Sequence, residues 1–509
     1  MKNNILILLL IIAGCTAANA QDVDSTGNGH DAIVEHLTIF NDVNEILWRN
    51  PAMMEGAYSH SLTHFYLTTD WQKKSAPFLL QKGTGHFMAA VKAKSYIRLG
   101  ENTAVWGKAS YTTGKNHNIK WNSVADYDLL EPDILGDTVG GNTRSEKYVF
   151  EGGYSTHRNR WHLGGEMLFR AEQEYRKVDP RMRSIVSDFT LRAGAGCDVA
   201  SYTLGFSFQG NIYRQTNSVD FYKPLGSIPE YQLMGLGEVY ARFSGDINDL
   251  IFKGGGIKMQ IDLTPGNACS GVIANAWVAQ HSYERVARLL NSLPLTTLYN
   301  KEVGIRAGWK HNGPVDYALW ADYQFNRRST DQHLAGTSSS QIYPVIAHLT
   351  MFKNYLISTS LNAVIGHKGV TSWWIKASGG YKGNRQNFVY PRRSIKYGHA
   401  FGQVEGQVIH NASKNWTIST QIEGSYYACV NDFMLLPLAN MEPHFVGMIE
   451  HNYNVAKSNF TNAGARLRAD YRIGRSRRYS IFGQLQYGIT FCSNHEHQNH
   501  VVVSIGIHI

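Results

Sequence analysis

Past its first twenty residues, the 509-residue chain has no apolar run long enough to cross a bilayer as a helix, and its mean hydropathy is −0.29. A spanning helix needs about 20 consecutive apolar residues, so a helical membrane protein is excluded. A β-barrel is not, because its strands interleave polar and apolar residues and look hydrophilic on average. Catalytic signatures are missing as well. There is no Gly-x-Ser-x-Gly, no His-Glu-x-x-His and no Walker or dinucleotide loop, so the expectation is a protein that is not an enzyme and carries no cofactor. Cysteine is scarce, five in all. Beyond Cys15 the remaining four, Cys197, Cys269, Cys429 and Cys492, fit no metal spacing and leave three disulfide pairings open. No linker interrupts the chain, which favours one large unit. The net charge of +9 is spread thinly. Short clusters such as Arg475-Ser476-Arg477-Arg478 read as lipid-headgroup turns, so the expected surroundings are outer-membrane lipid and not nucleic acid.

What is present is a period of two. Phe87, Ala89, Val91, Ala93, Ile97 and Leu99 share one face, with His86, Met88, Ala90, Lys92, Lys94, Tyr96 and Arg98 on the other. After Gly100-Glu101-Asn102 the alternation resumes with Val105, Gly107, Ala109 and Tyr111 against Trp106, Lys108, Ser110 and Thr112. This is a hairpin of two strands, each longer than the roughly 9–11 residues that cross a bilayer at a tilt. The pattern recurs to the C-terminus, where Val501, Val503, Ile505, Ile507 and Ile509 oppose Val502, Ser504, Gly506 and His508. Aromatic residues make up 12% and glycines number 48, as suits interfacial girdles and tight turns.

The expected fold is therefore all-β: a transmembrane antiparallel outer-membrane β-barrel of roughly 18–20 strands with a short N-terminal helix or plug. Strands are expected to begin near Val239, Ile342, Leu356 and Phe445 among others, and a short helix is expected over 285–293. Short turns (198–200, 246–249, 473–477) contrast with long loops (114–144, 213–235, 327–341, 384–397), an alternation that fails between Ile251 and Pro314. Residues 1–20 read as a signal peptide, with Ala18-Asn19-Ala20 before the cut. Ile12-Ala13-Gly14-Cys15 offers a competing lipobox. Residues 21–57 form the helix or plug segment and 58–509 the barrel. Within the former, Ile33, Leu37, Phe40, Asn44 and Leu47 follow helical spacing over 31–48, and Asn50-Pro51 ends the helix.

Leu47-Trp48-Arg49-Asn50-Pro51-Ala52 resembles the Asn-Pro-Ala entry segment of several outer-membrane barrel families. The whole layout is similar to uncharacterised Bacteroidota outer-membrane barrel proteins, with a weaker similarity to fatty-acid-transporter-like barrels. The resemblance implies location in the outer membrane of a Gram-negative bacterium and brings no functional residue with it.

Charges on the polar faces cannot face lipid, where a mid-bilayer Lys or Arg costs about 2–4 kcal/mol. Lys92, Lys94, Arg98, Lys108, Glu151, Glu166, Arg170 and Arg192 are the lumen-facing candidates, either pairing with one another or lining a solute path. The acidic run Asp126, Asp128, Glu131, Asp133 and Asp137 reads as a solvated loop without calcium spacing. Cys492, His495, His497 and His500, with Glu496 among them, form a candidate metal or haem set, the alternative being a solvated loop. Two functions stand open: a channel or plugged transporter for a small polar or amphipathic solute, or a non-conducting barrel that partners a surface lipoprotein, receptor or secretion system.

Overall fold

A computed structural model describes residues 29–222, 230–240, 242, 249–266, 270–339, 342–437, 441–473 and 479–509. The signal peptide, Cys15, Cys269 and the 475–478 cluster lie outside these residues. Eighteen antiparallel strands close into one barrel. In chain order β1 to β7 are Leu62–Lys74, Gly85–Gly100, Thr103–Ile119, Gly141–Arg158, Trp161–Arg176, Arg181–Val199 and Tyr202–Asp220. Strands β8 to β13 are Asp249–Pro265, Ser270–Ala287, Leu293–His311, Val315–Ala335, Val345–His367 and Thr371–Phe388. Strands β14 to β18 are Arg393–His410, Trp416–Leu435, Phe460–Ile473, Tyr479–Cys492 and His497–His508. Each pairs with its chain neighbour, and β18 pairs with β1 in a register that sets His64 against His508 and Lys74 against Gln498. Closure leaves the wall without an edge.

The alternation decides which side chains meet lipid. Leu67, Val91, Leu191, Phe206, Ile261, Ile305, Leu361, Ile422 and Ile505 are exposed on the outer face. Near the short turns the same face carries Trp161, Trp309, Tyr317, Trp373, Trp416 and Tyr479, an aromatic girdle of the kind that marks a membrane interface.

Five sequence expectations change. The candidate near Phe445 is a helix, Pro443–Ala456, and Val239 belongs to a small three-stranded sheet of Leu135–Gly136, Tyr231–Gly235 and Glu238–Val239. Leu356 lies inside one long strand, β12, and Ile342 ahead of it forms only an isolated bridge with Ser339. Residues 285–293 form no helix: β9 runs to Ala287 and β10 starts at Leu293. That brief connection sits at the long-loop end, which is why short and long turns stop alternating there. Finally, helical spacing over 31–48 gives an α-helix, α1, only across Gly29–Leu37. Thr38 is extended, its hydroxyl accepts the Phe40 N–H at 3.1 Å, and 3-10 turns at Ile39–Asn44, Leu47–Arg49 and Pro51–Met53 follow. The tighter winding turns Ile39, Phe40 and Val43 onto the inner wall beside Val34 of α1, against Trp320, Val364 and Trp374.

The lumen is filled at both ends. At the long-loop end, Trp121, Leu135, Leu236, Phe445, Met448 and Ile449 from the loops form an apolar core with Met182, Tyr213, Phe252 and Leu298 of the wall. At the short-turn end sits the N-terminal segment.

Candidate functional site

The N-terminal segment is fastened to the wall by polar contacts that its own sequence dictates. Asn50 is fully buried; its Oδ1 accepts the Ala52 N–H at 3.1 Å and its Nδ2 donates to Asp262 at 2.9 Å. Ser155 donates to the Ala52 carbonyl at 3.1 Å, and Gln260 to that of Ile46 at 2.8 Å. Pro51 holds Asn50 extended, at φ −84° and ψ 110°, which frees both amide atoms for these bonds. Glycine seats receive the segment: a Cβ on Gly194 would lie 2.0 Å from Asn50 Oδ1, and one on Gly164 2.4 Å from the Pro51 carbonyl group. Across the lumen Arg306 donates to the Asp42 carbonyl at 2.7 Å and Lys376 pairs with the Asp42 carboxylate. Gly194→Val therefore removes the space that Asn50 occupies, and is expected to release residues 29–57 to added protease while the barrel stays folded. Unchanged cleavage would count against this seat.

Above the segment lies a cavity of about 1000 Å³. Tyr58, Tyr66, Tyr96, Trp48, Trp106 and Phe482 give it an aromatic lining. Of the candidate charges, Lys94, Lys108, Glu151, Glu166 and Arg192 line it, joined by Lys258 and Glu302. Glu166 accepts from Trp106 Nε1 at 2.9 Å and pairs with Arg192. Among the described residues, Lys94, Lys108 and Lys258 have no ion-pair partner, though Lys258 stands 5.2 Å from the Trp277 ring centroid. Lys92 shares the inner face of β2, nearer the long-loop end. Arg98 donates to the Tyr58 carbonyl at 3.1 Å and so holds the exit of the segment.

Arg170 lies above the cavity and binds Asp126 through two bonds of 2.7 and 2.6 Å, with Glu172 and Asp188 beside it. This overturns the solvated-loop expectation for 126–137. Asp133 and Asp137 are buried, Asp137 pairs with Arg176 at 2.9 Å, and Glu131 meets Arg328 at 3.2 Å. The run folds inward onto three arginines of the wall, Arg170, Arg176 and Arg328.

The histidines sort differently from their spacing. His497 stands exposed on the outer-facing set of β18, His495 sits in the turn at φ 70°, and Cys492 is a free thiol on β17. His500 faces the lumen and joins Asp70 and His86, the three ligand atoms lying within 4.8 Å of one another. The only signal for this trio is the β18–β1–β2 register, which composition and spacing do not carry. A second trio, Glu55, His157 and His162, links the N-terminal segment to the short-turn end of β4 and β5. His157 and His162 stack there at 4.1 Å, beside Asp198.

Within the N-terminal segment, His36 lies on Tyr58 with centroids 3.8 Å apart, and its Nε2 bonds the His60 carbonyl at 2.8 Å. Burial pushes its pKa down to about 4. A detached segment takes up a proton below its usual value of about 6.5. Docking is thus fully supported above that value and is expected to weaken as pH falls towards 4. Trp48 fluorescence should report this release, and His36→Phe should flatten the profile between those limits. A parent protein with no change over that range would count against it.

Fold and site together define an outer-membrane-type β-barrel whose lumen is closed at both ends around a charged, aromatic chamber. The chain belongs to the Family of unknown function (DUF6850), whose model matches residues 51–509. A search of curated proteins returned no match. Similar solved structures include the copper transporter OprC, at 6% identity and TM-score 0.38, covering 88% of this chain and 80% of that one. They also include BauA, the ferric preacinetobactin receptor from Acinetobacter baumannii, at 7% and 0.39, covering 87% and 80%. The alcaligin receptor FauA from Bordetella pertussis is similar at 9% and 0.34, covering 86% and 75%. No fatty-acid-transporter-like barrel stands among these three structures. At such identities no residue and no ligand carries over.

Proposed function

We propose that the protein is a plugged transporter in the outer membrane of a Gram-negative bacterium, taking up a small amphipathic solute with an anionic group. The carrying observation is the chamber: three lysines without ion-pair partners among the described residues, set among aromatic rings, between two closures. Lys94 and Lys108 are open to the chamber and Lys258 is half-buried, so their ammonium groups are free to meet an anionic ligand between low-dielectric walls. Residues 29–57 act as the plug on the periplasmic, short-turn side, and the loop core faces outward. The test compares small molecules extracted from the parent with those from Lys94→Gln/Lys108→Gln/Lys258→Gln, both purified in mild detergent. An anionic compound enriched in the parent is expected; identical extracts would sink the reading.

A second reading, a non-conducting barrel that partners a surface lipoprotein, receptor or secretion system, is favoured by the double closure alone. It expects a cross-linked partner whose capture is indifferent to the three lysines.

A further inference from the structure

We propose that Asp70, His86 and His500 form a binding site for a divalent late first-row transition ion on the lumen wall, near the long-loop end. The barrel seam builds it. In β1, Gln72 stands opposite His86 of β2 and opposite His500 of β18, so the two histidines flank β1 at the same level. Asp70 lies two residues along β1 and therefore shares their inner face. The carboxylate reaches between the rings: His86 Nε2 lies 2.8 Å and His500 Nε2 2.9 Å from the same oxygen, Oδ1. The rings stand near perpendicular, at 70°, with centroids 6.5 Å apart, so they converge on the carboxylate without stacking on each other.

The spacing suits an ion. With ligand bonds of about 2.0–2.1 Å, adjacent ligands in an octahedral or square arrangement lie about 2.9 Å apart, close to the separation of each Nε2 from Asp70 Oδ1 here. Two imidazoles and one carboxylate are borderline ligands, favoured by zinc, copper, nickel and cobalt over calcium or magnesium. On binding, each Nε2 gives up its hydrogen-bonding role and presents its lone pair, the ring proton residing on Nδ1. The side chains are 40% exposed for Asp70, 25% for His86 and 29% for His500, so water reaches the trio. All three ligands come from one side, the wall, and the remaining coordination positions point into the lumen. The site can therefore hold an aqua ion or an ion that keeps a small chelator. It stands apart from the chamber lining, so it does not depend on the anionic-solute reading.

The experiment titrates the full-length protein, stripped with a chelator in detergent, with Cu²⁺ and Co²⁺. Cu²⁺ is followed by electron paramagnetic resonance and Co²⁺ by its visible absorption. His86→Gln/His500→Gln retains hydrogen-bonding groups beside Asp70 but removes both imidazoles, and heat-modifiable migration verifies that its barrel is folded. His157→Gln/His162→Gln controls for the second histidine trio. The expected result is micromolar binding with nitrogen hyperfine structure from two imidazoles. That signal should be lost in His86→Gln/His500→Gln and kept in the control. Asp70→Asn should weaken binding at least tenfold. The proposal is overturned if the folded His86/His500 variant keeps the signal, or if the parent binds neither ion at micromolar concentration. Loss of anionic solute in the extraction experiment would leave this result untouched.

Discussion

Deleting residues 29–57 alone is expected to leave the protein almost non-conducting in a planar bilayer. The segment closes only the short-turn end, while Trp121, Leu135, Phe445 and Met448 close the other with an apolar core. The large effect should come from combining that deletion with replacement of 121–139, 221–248 and 442–457 by short turns. Then both closures are gone, and an eighteen-stranded wall has the girth of porins that carry an aqueous channel. Single-channel recordings of the three proteins decide it. A porin-like conductance from the first deletion alone would mean that the loop core does not seal the lumen.

The second large effect concerns Arg176 and Asp137, whose side chains are 1% and 0% exposed. Arg176 donates to the carboxylate at 2.9 Å and to the Gly140 carbonyl at 3.0 Å, clasping the end of the inward-folded loop. Arg176→Met leaves a buried carboxylate without its counter-charge, an error that costs about 3–5 kcal/mol. Loop 120–140 is expected to leave the lumen and become cleavable by added protease. Adding Asp137→Asn removes the stranded charge while keeping an acceptor for the Gly140 N–H, and should restore most of the protection. If the double variant is cleaved as fast as the single one, the pair does not hold the loop. The loop core has a pH dependence opposite in sign to that of His36. Burial pushes Glu230 up to about 8, so its support is complete below its usual value of about 4.3 and fades as pH rises towards 8.

The wall was legible in the sequence because its rule is local. Phe87 to Thr112 shows the period of two that membrane and water jointly impose, and the same rule places Lys94, Lys108, Glu151, Glu166 and Arg192 on the inner face. What fills the lumen follows no such rule. Residues 126–137 have the composition of a solvated loop, and only Arg170 and Arg176 of β5 and Arg328 of β11 make burial favourable for them. Phe445 sits in a segment that alternates as well as it spirals, and its environment chose the helix. Asp70, His86 and His500 come together through the pairing of the first strand with the last. Asn50-Pro51-Ala52 was visible as a motif, but its seat against Gly164 and Gly194 was not, since a seat made of absent side chains has no signature of its own.

That first-to-last pairing also orders the assembly of the molecule. Thr63 and Ile509 exchange both backbone hydrogen bonds at 3.0 Å, so the cylinder cannot shut before its final strand arrives. The segment ahead of β1 touches strands from β2 round to β14, and it enters most readily while the sheet is still an open ribbon. Such distant pairings are slow to form because the loop entropy is lost before any contact repays it. A substitution that weakens the seating of Asn50 would then act first on the yield of closed barrels, and only afterwards on how well a finished barrel is sealed.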